Sequence, residues 1–385
     1  MNGVLVRRRK VAGVLNGEPW IYPNAVISGP EQPGCYPVRI EDGPQLGWAD
    51  YNPVAPIPGR LLYRAPNYPG DEALIAERFQ QAVNRRLQLG FQIQGGGFRL
   101  VNGEGDGLPG LVIDLFGRHL VVDCYTAGMR DRLDLIRDLL GMMLADCPVA
   151  MRMGADAARR EGVEPLDPEP ATVSYAEHSV IYEFELGADQ KSGGYLDQRD
   201  NRLMVAQWAK ERSVLDLFAY HGGFGLSALA AGANDALAVD ASQLALDVAA
   251  ATASRNKLPL RTQQMDIFKE IPSLASKGPF ELIICDPPKV AAKKRDWKRG
   301  VGAYRYLVDQ CLRLLEVGGV LVVSSCSHAI NGDDLRQILE QQGKKQQVDL
   351  DVIAVTGHPA DHPWPVSFQT GRYLSTIAVE KRGAW

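Results

Sequence analysis

Two apolar runs in the C-terminal half of this chain end in side chains that can do chemistry. Gly318 to His328 reads Gly-Gly-Val-Leu-Val-Val-Ser-Ser-Cys-Ser-His, the pattern of a buried parallel strand that delivers Cys326 to its carboxyl end. Phe280 to Cys285 delivers Asp286-Pro287-Pro288-Lys289 to an equivalent position. Ligands and catalytic groups of open α/β sheets gather at the carboxyl ends of the strands. A thiol and a carboxylate meeting there point to covalent activation of a substrate, with Cys326 as nucleophile and Asp286 as its acid–base partner. A thiolate needs a nearby Lys or Arg, so a lowered thiol pKa is expected. The competing reading of Cys326 is a small core residue, the usual place of a free cysteine. Its neighbours Ser324, Ser325, Ser327 and His328 argue instead for a polar, exposed strand end. Cys285 and Cys311 lie within apolar stretches and read as core. His328 reads either as tuning the site or as a capping residue.

The two prolines after Asp286 cannot donate backbone hydrogen bonds and hold the chain extended, which makes a rigid pocket edge. Nucleic-acid methyltransferases that act on an exocyclic amine usually place a stacking aromatic residue just beyond such a motif. Lys289 stands there instead, which favours a ring carbon as target. Carbon 5 of cytosine becomes nucleophilic once a thiolate has added to carbon 6, and a carboxyl group near ring nitrogen 3 favours that adduct. Beyond the prolines come Lys289, Lys293, Lys294, Arg295, Lys298, Arg299 and Arg305, interleaved with Trp297, Tyr304 and Tyr306 and opposed by Asp296 alone. A charge run is ordinarily a solvated face. A basic loop with aromatics beside Asp286 fits phosphate contact and base stacking, so Pro287 and the cations from Lys289 to Arg299 are assigned to RNA.

A cofactor site is legible upstream. The run Asp216-Leu-Phe-Ala-Tyr-His-Gly-Gly-Phe-Gly225 places a Gly-rich turn after the first strand of an alternating strand–helix region. It lacks the Gly-x-Gly-x-x-Gly fingerprint, and Asp216 ahead of the turn would repel a pyrophosphate and suit a cation. Asp240 ends the second strand, where a carboxylate can bind ribose hydroxyls, and Asp266 follows the third, within reach of an adenine amino group. Singly, each reads as a helix cap or turn residue. Together at successive strand ends they fit S-adenosylmethionine, which carries a ribose, an adenine and a sulfonium. Phe218, Tyr220, Gly222 and Gly223 of the turn belong to the same expected site.

The elements that position these groups follow from periodicity. Residues 1–70 are short β-like runs broken by Gly and Pro, as in a small β-barrel. A helical pattern from Glu72 to Leu89 follows. A hairpin spans Gly110–Phe116 and His119–Tyr125, a helix Asp131–Leu144, and two strands Ala171–Tyr175 and Ser179–Leu186, which together make an α+β unit through residue 188. The charge-, Gly- and Pro-rich stretch from Gly154 to Pro170 reads as an exposed loop. From 189 to 385 strands (Val214–Phe218, Asp235–Val239, Phe280–Ile284, Val320–Ser324) alternate with helices such as Gln243–Asn256 and Ala303–Leu315, the mark of a doubly wound parallel sheet. Asp349–Val355 and Tyr373–Val379 lack an intervening helix and suit an antiparallel pair at the sheet edge.

Composition sets the outer limits. A chain of 385 residues with 45% hydrophobic content exceeds one ordinary domain, and a net charge of −4 does not exclude a locally basic nucleic-acid surface. The six cysteines form no Cys-x-x-Cys pair, which argues against a zinc site or a disulfide scaffold and suits a reducing cytoplasm. No apolar stretch reaches membrane-spanning length, so no membrane partner is expected.

Taken in order, Asn102–Asp114, Gly194-Tyr-Leu-Asp-Gln-Arg-Asp-Asn-Arg202, Asp216–Phe224, Asp286-Pro-Pro-Lys289, Ser325-Cys-Ser-His328 and Ala360-Asp-His-Pro363 cover nearly the whole chain. These motifs resemble the bacterial S-adenosylmethionine-dependent 23S ribosomal RNA cytosine-C5 methyltransferases with an N-terminal PUA domain. The resemblance implies a PUA barrel for RNA, a central α+β domain framing an RNA cleft, and a Rossmann-like class I methyltransferase with a mostly parallel seven-stranded sheet. It also implies cofactor contacts from Tyr195, Asp197, Gln198 and Arg199, and from Asp286 itself. Arg7 to Lys10 is the one basic cluster of the N-terminal domain, and Lys191-Ser-Gly-Gly194 departs from the family's Thr-Gly-aromatic pattern. The alternatives are an RNA guanine methyltransferase in which Cys326 is incidental, and a non-catalytic ribosome-assembly factor. A nicotinamide dehydrogenase is disfavoured by the turn. The sequence admits a homodimer and names no base for the carbon-5 proton.

Overall fold

The computed structural model describes residues 3–187, 194–291 and 294–384; Lys293 and Lys191 to Gly193 lie outside the described residues. The chain forms two compact units, the first from residues 3–175, 184–187 and 360–371, the second from 176–183, 194–359 and 372–384.

The first unit opens with strands β1 (Val4–Val6), β2 (Trp20–Ile21), β3 (Val26–Ser28), β4 (Gly34–Ile40), β5 (Gln45–Tyr51) and β6 (Gly59–Tyr63), joined in the order β2-β6-β5-β4-β1-β3. Val4, Val6, Ile21, Val38, Ala49 and Leu61 form its core. The helix Asp71–Gln88 then leads to a second sheet of β7 (Gly97–Asn102), β8 (Leu111–Phe116), β9 (His119–Cys124) and β10 (Val149–Arg152), in the order β10-β9-β8-β7. Alternate residues such as Ile113, Leu115 and Val122 share one core with Phe79 and Leu140 from the helices Asp71–Gln88 and Leu133–Met143. Strand periodicity and helical periodicity thus meet in one apolar layer.

The stretch expected as a loop from Gly154 to Pro170 contains a helix, Ala155–Glu161. Its last residue, Glu161, is buried and accepts hydrogen bonds from Asn52 (3.0 Å), Arg60 (3.2 Å) and the Ala127 amide (3.2 Å). A buried carboxylate needs such partners, and they come from distant parts of the sequence. Residues 360–371 join this unit through similar bonds. Asp361 accepts from the Arg99 amide at 2.8 Å, its carbonyl accepts from Arg86 at 2.6 Å, and Phe368 meets Trp20 edge-on at 4.7 Å.

Strands β11 (Ala171–Glu177) and β12 (Val180–Leu186) form a two-stranded sheet. The second unit is built on β13 (Ser213–Leu217), β14 (Asp235–Asp240), β15 (Leu260–Gln264), β16 (Phe280–Cys285), β17 (Leu315–Ser325), β18 (Val348–Thr356) and β19 (Ser375–Ala384). Their order is β15-β14-β13-β16-β17-β19-β18, parallel except for β19, which runs antiparallel to β17 and β18. The strand order reverses between β13 and β16, the topological switch point where such sheets bind ligands.

Apolar side chains cover both faces of this sheet. On one face lies the helix Trp297–Leu314, which begins inside the stretch expected as a basic loop. Val301, Tyr304, Leu307, Val308, Cys311 and Leu312 recur at three- and four-residue steps and are buried. Lys298 and Arg299 lie on its exposed side.

Candidate active site

Strands β16 and β17 are neighbours in parallel register, with Cys285 opposite Val323. Their carboxyl ends therefore release Asp286 and, three residues past Val323, Cys326 on the same edge of the sheet. The two groups interact. Burial pushes the Cys326 thiol up to about 11, the charges of Asp286 and Asp197 push the same way, and Lys289 opposes them. This corrects the expected lowered pKa, because burial, joined by two carboxylates, outweighs one cation. At pH 7 the thiol is therefore neutral in the free protein, with thiolate a minor form.

The expected exposed strand end is also corrected. Cys326 is half-buried, whereas Ser324, Ser325 and Ser327 are buried and fully used by the fold. Ser324 shares a hydrogen bond with Thr376 (2.8 Å), Ser325 donates to the Ile330 carbonyl (2.9 Å), and Ser327 donates to the Ala291 carbonyl. These hydroxyls shape the backbone around Cys326 without meeting solvent.

A polar chain connects the two reactive ends through Gln198, which was expected as a cofactor contact, and Asn201, which sequence reasoning missed. Gln198 donates to Asp286 at 2.9 Å and accepts from Asn201 at 2.6 Å. Asn201 also donates to Thr376 at 3.2 Å and accepts from Thr356 at 2.6 Å. Thr376 pairs with Ser324, two residues before Cys326. The hint available was spacing: Gln198 and Asn201 stand three apart where a helix begins, on one face. Tyr373 was also missed. Its hydroxyl donates to Asp197 at 2.8 Å, and the other Asp197 oxygen is buried with no hydrogen-bond partner among the described residues.

The Gly-rich turn stands at the end of β13. Asp216 accepts from the Gly225 amide at 2.9 Å through one oxygen, and its other oxygen is buried without a hydrogen-bond partner among the described residues. Burial raises its pKa to about 7, aided by Asp286 and Asp240 and opposed by the Gly225 amide and Arg202. Arg202 is in turn held by Glu177 in a buried ion pair. Asp240 binds the turn itself, accepting from the Tyr220 amide and the Ser242 amide, both at 2.9 Å. Asp266 is paired with Lys269 at 2.6 Å.

Three non-glycine residues here, Tyr195, Phe218 and Tyr220, hold positive φ of 46°, 62° and 50°. Such conformations cost of order 1–3 kcal/mol each and cluster at functional sites. They aim aromatic rings together, Tyr195 edge-on to Tyr220 at 5.1 Å and Phe218 tilted against Phe268 at 5.3 Å. Gly222 has φ 72°, and a Cβ there would lie 3.1 Å from Ala249 and Leu260. A Cβ on Gly223 would meet Arg202 at 3.0 Å. These glycines leave room for the protein's own side chains. Arg199 is buried and pairs with Asp200 at 3.0 Å.

On the RNA side, Lys289, Arg295, Lys298 and Arg299 are exposed, Lys294 opens a short 3-10 turn, and Pro287 is buried. Trp297 is exposed and donates to Asp334 at 3.0 Å. Tyr304 is no stacking residue. It is buried and its hydroxyl donates to the Ser324 carbonyl at 2.9 Å, which makes it a support for β17. Among the described residues no three His, Cys, Asp or Glu side chains are grouped to hold a metal, and no helix is long and apolar enough to cross a membrane.

This geometry can be set beside known proteins. Residues 149–363 match the family described as S-adenosylmethionine-dependent methyltransferase, and residues 4–64 match the PUA-like domain. The chain is 31% identical over 388 aligned residues to ribosomal RNA large subunit methyltransferase I of Cronobacter sakazakii and of Escherichia coli K12. Each alignment covers 97% of this chain and 98% of the relative. In fold it is similar to a methyltransferase from Streptococcus mutans, with a TM-score of 0.83, 19% identity, and coverage of 98% of this chain and 100% of that one. A methyltransferase solved in complex with SAH is equally similar, with a TM-score of 0.83, 20% identity and the same coverage.

Proposed function

We propose, from the premise that this chain belongs to the S-adenosylmethionine-dependent methyltransferase family and carries a PUA-like domain, that it forms 5-methylcytosine in large-subunit ribosomal RNA through a covalent adduct on Cys326. Support for the RNA target comes from its 31% identical relatives, which are ribosomal RNA large subunit methyltransferases, and such a target suits a cytoplasmic enzyme. The observation that carries the chemistry is the pairing of Cys326 with Asp286 at adjacent strand ends, coupled through charge.

The bound cofactor supplies an electrophilic methyl group on a sulfonium. The site's residues fit it. The buried, unpartnered oxygen of Asp216 suits a cationic group, Asp240 suits ribose hydroxyls, and the Phe218–Phe268 pair offers a flat apolar face for adenine. Tyr195, Asp197, Gln198, Arg199, Tyr220, Gly222, Gly223 and Asp266 complete the set assigned to it. Lys289, Lys294, Arg295, Lys298 and Arg299 contact RNA phosphates, with Pro287 bracing the pocket edge.

Chemistry on the base starts from a neutral thiol and the Asp286 carboxylate. The thiol proton passes to Asp286 and on to nitrogen 3 as sulfur bonds to carbon 6. The carbon 5–carbon 6 pair shifts to carbon 4–carbon 5, and the carbon 4–nitrogen 3 pair becomes the lone pair that takes the proton. Carbon 5 is then an enamine carbon. Asp286 ends this step as a carboxylate again, so it relays a proton without net change. The high thiol pKa fits this order, because the thiol gives up its proton only when the base can accept it.

A pH dependence follows from Asp216. A cationic cofactor needs this carboxylate ionised, and in the free protein it protonates below about pH 7. Cofactor affinity should therefore fall as pH drops through 7, approaching about tenfold per unit, with proton release measurable by calorimetry in buffers of different ionisation enthalpy. Asp216→Asn should bind weakly at every pH and release no proton. Affinity independent of pH between 5.5 and 8 would remove Asp216 from this role.

The reaction itself is tested by mass-spectrometric nucleoside analysis of ribosomal RNA from a strain lacking this protein. One 5-methylcytosine should be missing and should return on complementation. A different methylated base missing would move the assignment to that base.

A further inference from the structure

Carbon 5 of the methylated adduct still carries a proton that must leave, and neither Asp286, a carboxylate again but engaged with the nitrogen 3 proton, nor Cys326 is placed to take it at that stage. Asp286 serves nitrogen 3, and the Cys326 sulfur is bonded to carbon 6. The geometry points to His328 as the proton acceptor, a catalytic residue placed by Tyr373 on the loop that carries Cys326. The inference rests on the carbon-5 reading above.

His328 stands two residues beyond Cys326, where β17 has ended, and its side chain is solvent-accessible. The Lys289 ammonium lowers the pKa of both the Cys326 thiol and the His328 imidazole. The His328 ring meets Tyr373 edge-on at 6.2 Å, and Tyr373 is fixed by its bond to Asp197 and by ring contact with His358 at 4.3 Å. His358 accepts at Nε2 from the Tyr373 and Leu374 amides (3.3 and 3.1 Å), which locks the turn that presents Tyr373. The groups that bear on His328 are thus Lys289 beyond β16 and Tyr373 ahead of β19, with Cys326 two residues back on its own loop. Burial and Lys289 hold its pKa below the ordinary histidine value, so the ring is a neutral base at pH 7.

In the step, the carbon 5–hydrogen bond breaks and its proton goes to the imidazole. Its electron pair forms the carbon 5–carbon 6 double bond, the carbon 6–sulfur bond breaks, and that pair leaves on the Cys326 sulfur. The imidazolium returns its proton to the thiolate through solvent, and nitrogen 3 gives up the proton it gained, by way of Asp286, to solvent, which restores the starting state of the protein and leaves neutral 5-methylcytosine.

The test uses full-length protein and ribosomal RNA from the deletion strain, tritiated at cytosine carbon 5, in single turnover. Wild type should release tritium without accumulating a complex. His328→Ala should accumulate a covalent protein–RNA complex on a denaturing gel, release tritium about 100-fold more slowly, and regain rate on addition of imidazole. Cofactor affinity, measured in parallel, should be unchanged. The wild-type release rate should fall as pH drops below the ordinary histidine range, and the variant should lose that limb. Release by His328→Ala within twofold of wild type, or loss of the adduct itself, would overturn the assignment. Wild type that neither releases tritium nor forms an adduct would instead sink the carbon-5 reading, an outcome visible without the variant.

Discussion

Cys326→Ala should lose methyl transfer by about 10^4-fold or more while binding the cofactor as tightly as wild type. Without sulfur, carbon 6 has no nucleophile and carbon 5 stays unreactive, so no slower version of the same route remains. Unfolding would not explain the loss. The side chain is half-buried, and trimming one sulfur there should cost about 1 kcal/mol, a small part of the stability of a chain this size. The cofactor groups Asp216 and Asp240 hang from β13 and β14, and their bonds to Gly225, Tyr220 and Ser242 do not involve Cys326. The measurement is a pair of assays on one preparation, single-turnover methylation and calorimetric cofactor affinity. Retained methylation would make Cys326 an ordinary strand-end residue. Lost affinity would make it part of the cofactor site.

Asp286→Asn should move two readouts in opposite directions. Burial is the largest cause of the raised thiol pKa, and Asp286 is the next. Removing its charge should lower that pKa and speed alkylation of Cys326 by iodoacetamide at pH 8 by about three- to tenfold. Methylation should nevertheless fall by about 10^3-fold, because an amide cannot relay the proton to nitrogen 3. A residue that served only to hold the loop would not separate the two. The neutral side chain can still accept from Gln198, so the Gln198–Asn201–Thr376 chain has no reason to collapse. Faster alkylation with normal methylation would show that Asp286 merely burdens the thiol. Slower alkylation would contradict the charge coupling.

Much of this site was legible because strands of a parallel sheet are apolar runs and their ends are abrupt. Asp240, Asp286 and Cys326 stand where an apolar run stops, and the structure puts each at or just past the carboxyl end of its strand, with Asp216 next to last in β13. The helix Gln243–Asn256 and the antiparallel pairing of β18 with β19 were readable for similar reasons, from period and from the missing crossover.

What was not legible depended on distant partners. The charges of the segment containing Glu161 suggested a solvated loop, and only Asn52, Arg60 and Ala127 make its burial affordable. The basic stretch after Lys289 was read by charge, and the helix expected from Ala303 to Leu315 begins six residues earlier, at Trp297, inside that stretch. The raised pKa of Cys326 was hidden because Asp197 and Asp286 lie 129 and 40 residues before it in sequence. Nothing local marks residues 360–371 as members of the first unit. That membership rests on bonds from Arg86, Arg99 and Asn102.

The covalent adduct is the core of this account, and it can be trapped. Deletion-strain ribosomal RNA substituted with 5-fluorocytidine has no carbon-5 proton to lose, so an adduct that forms and is methylated cannot be released. Incubated with cofactor and wild-type protein, it should give a complex stable to denaturation, with peptide mapping placing one nucleotide on Cys326. A complex mapped to another residue, or none from protein that methylates the unsubstituted RNA, would contradict the mechanism.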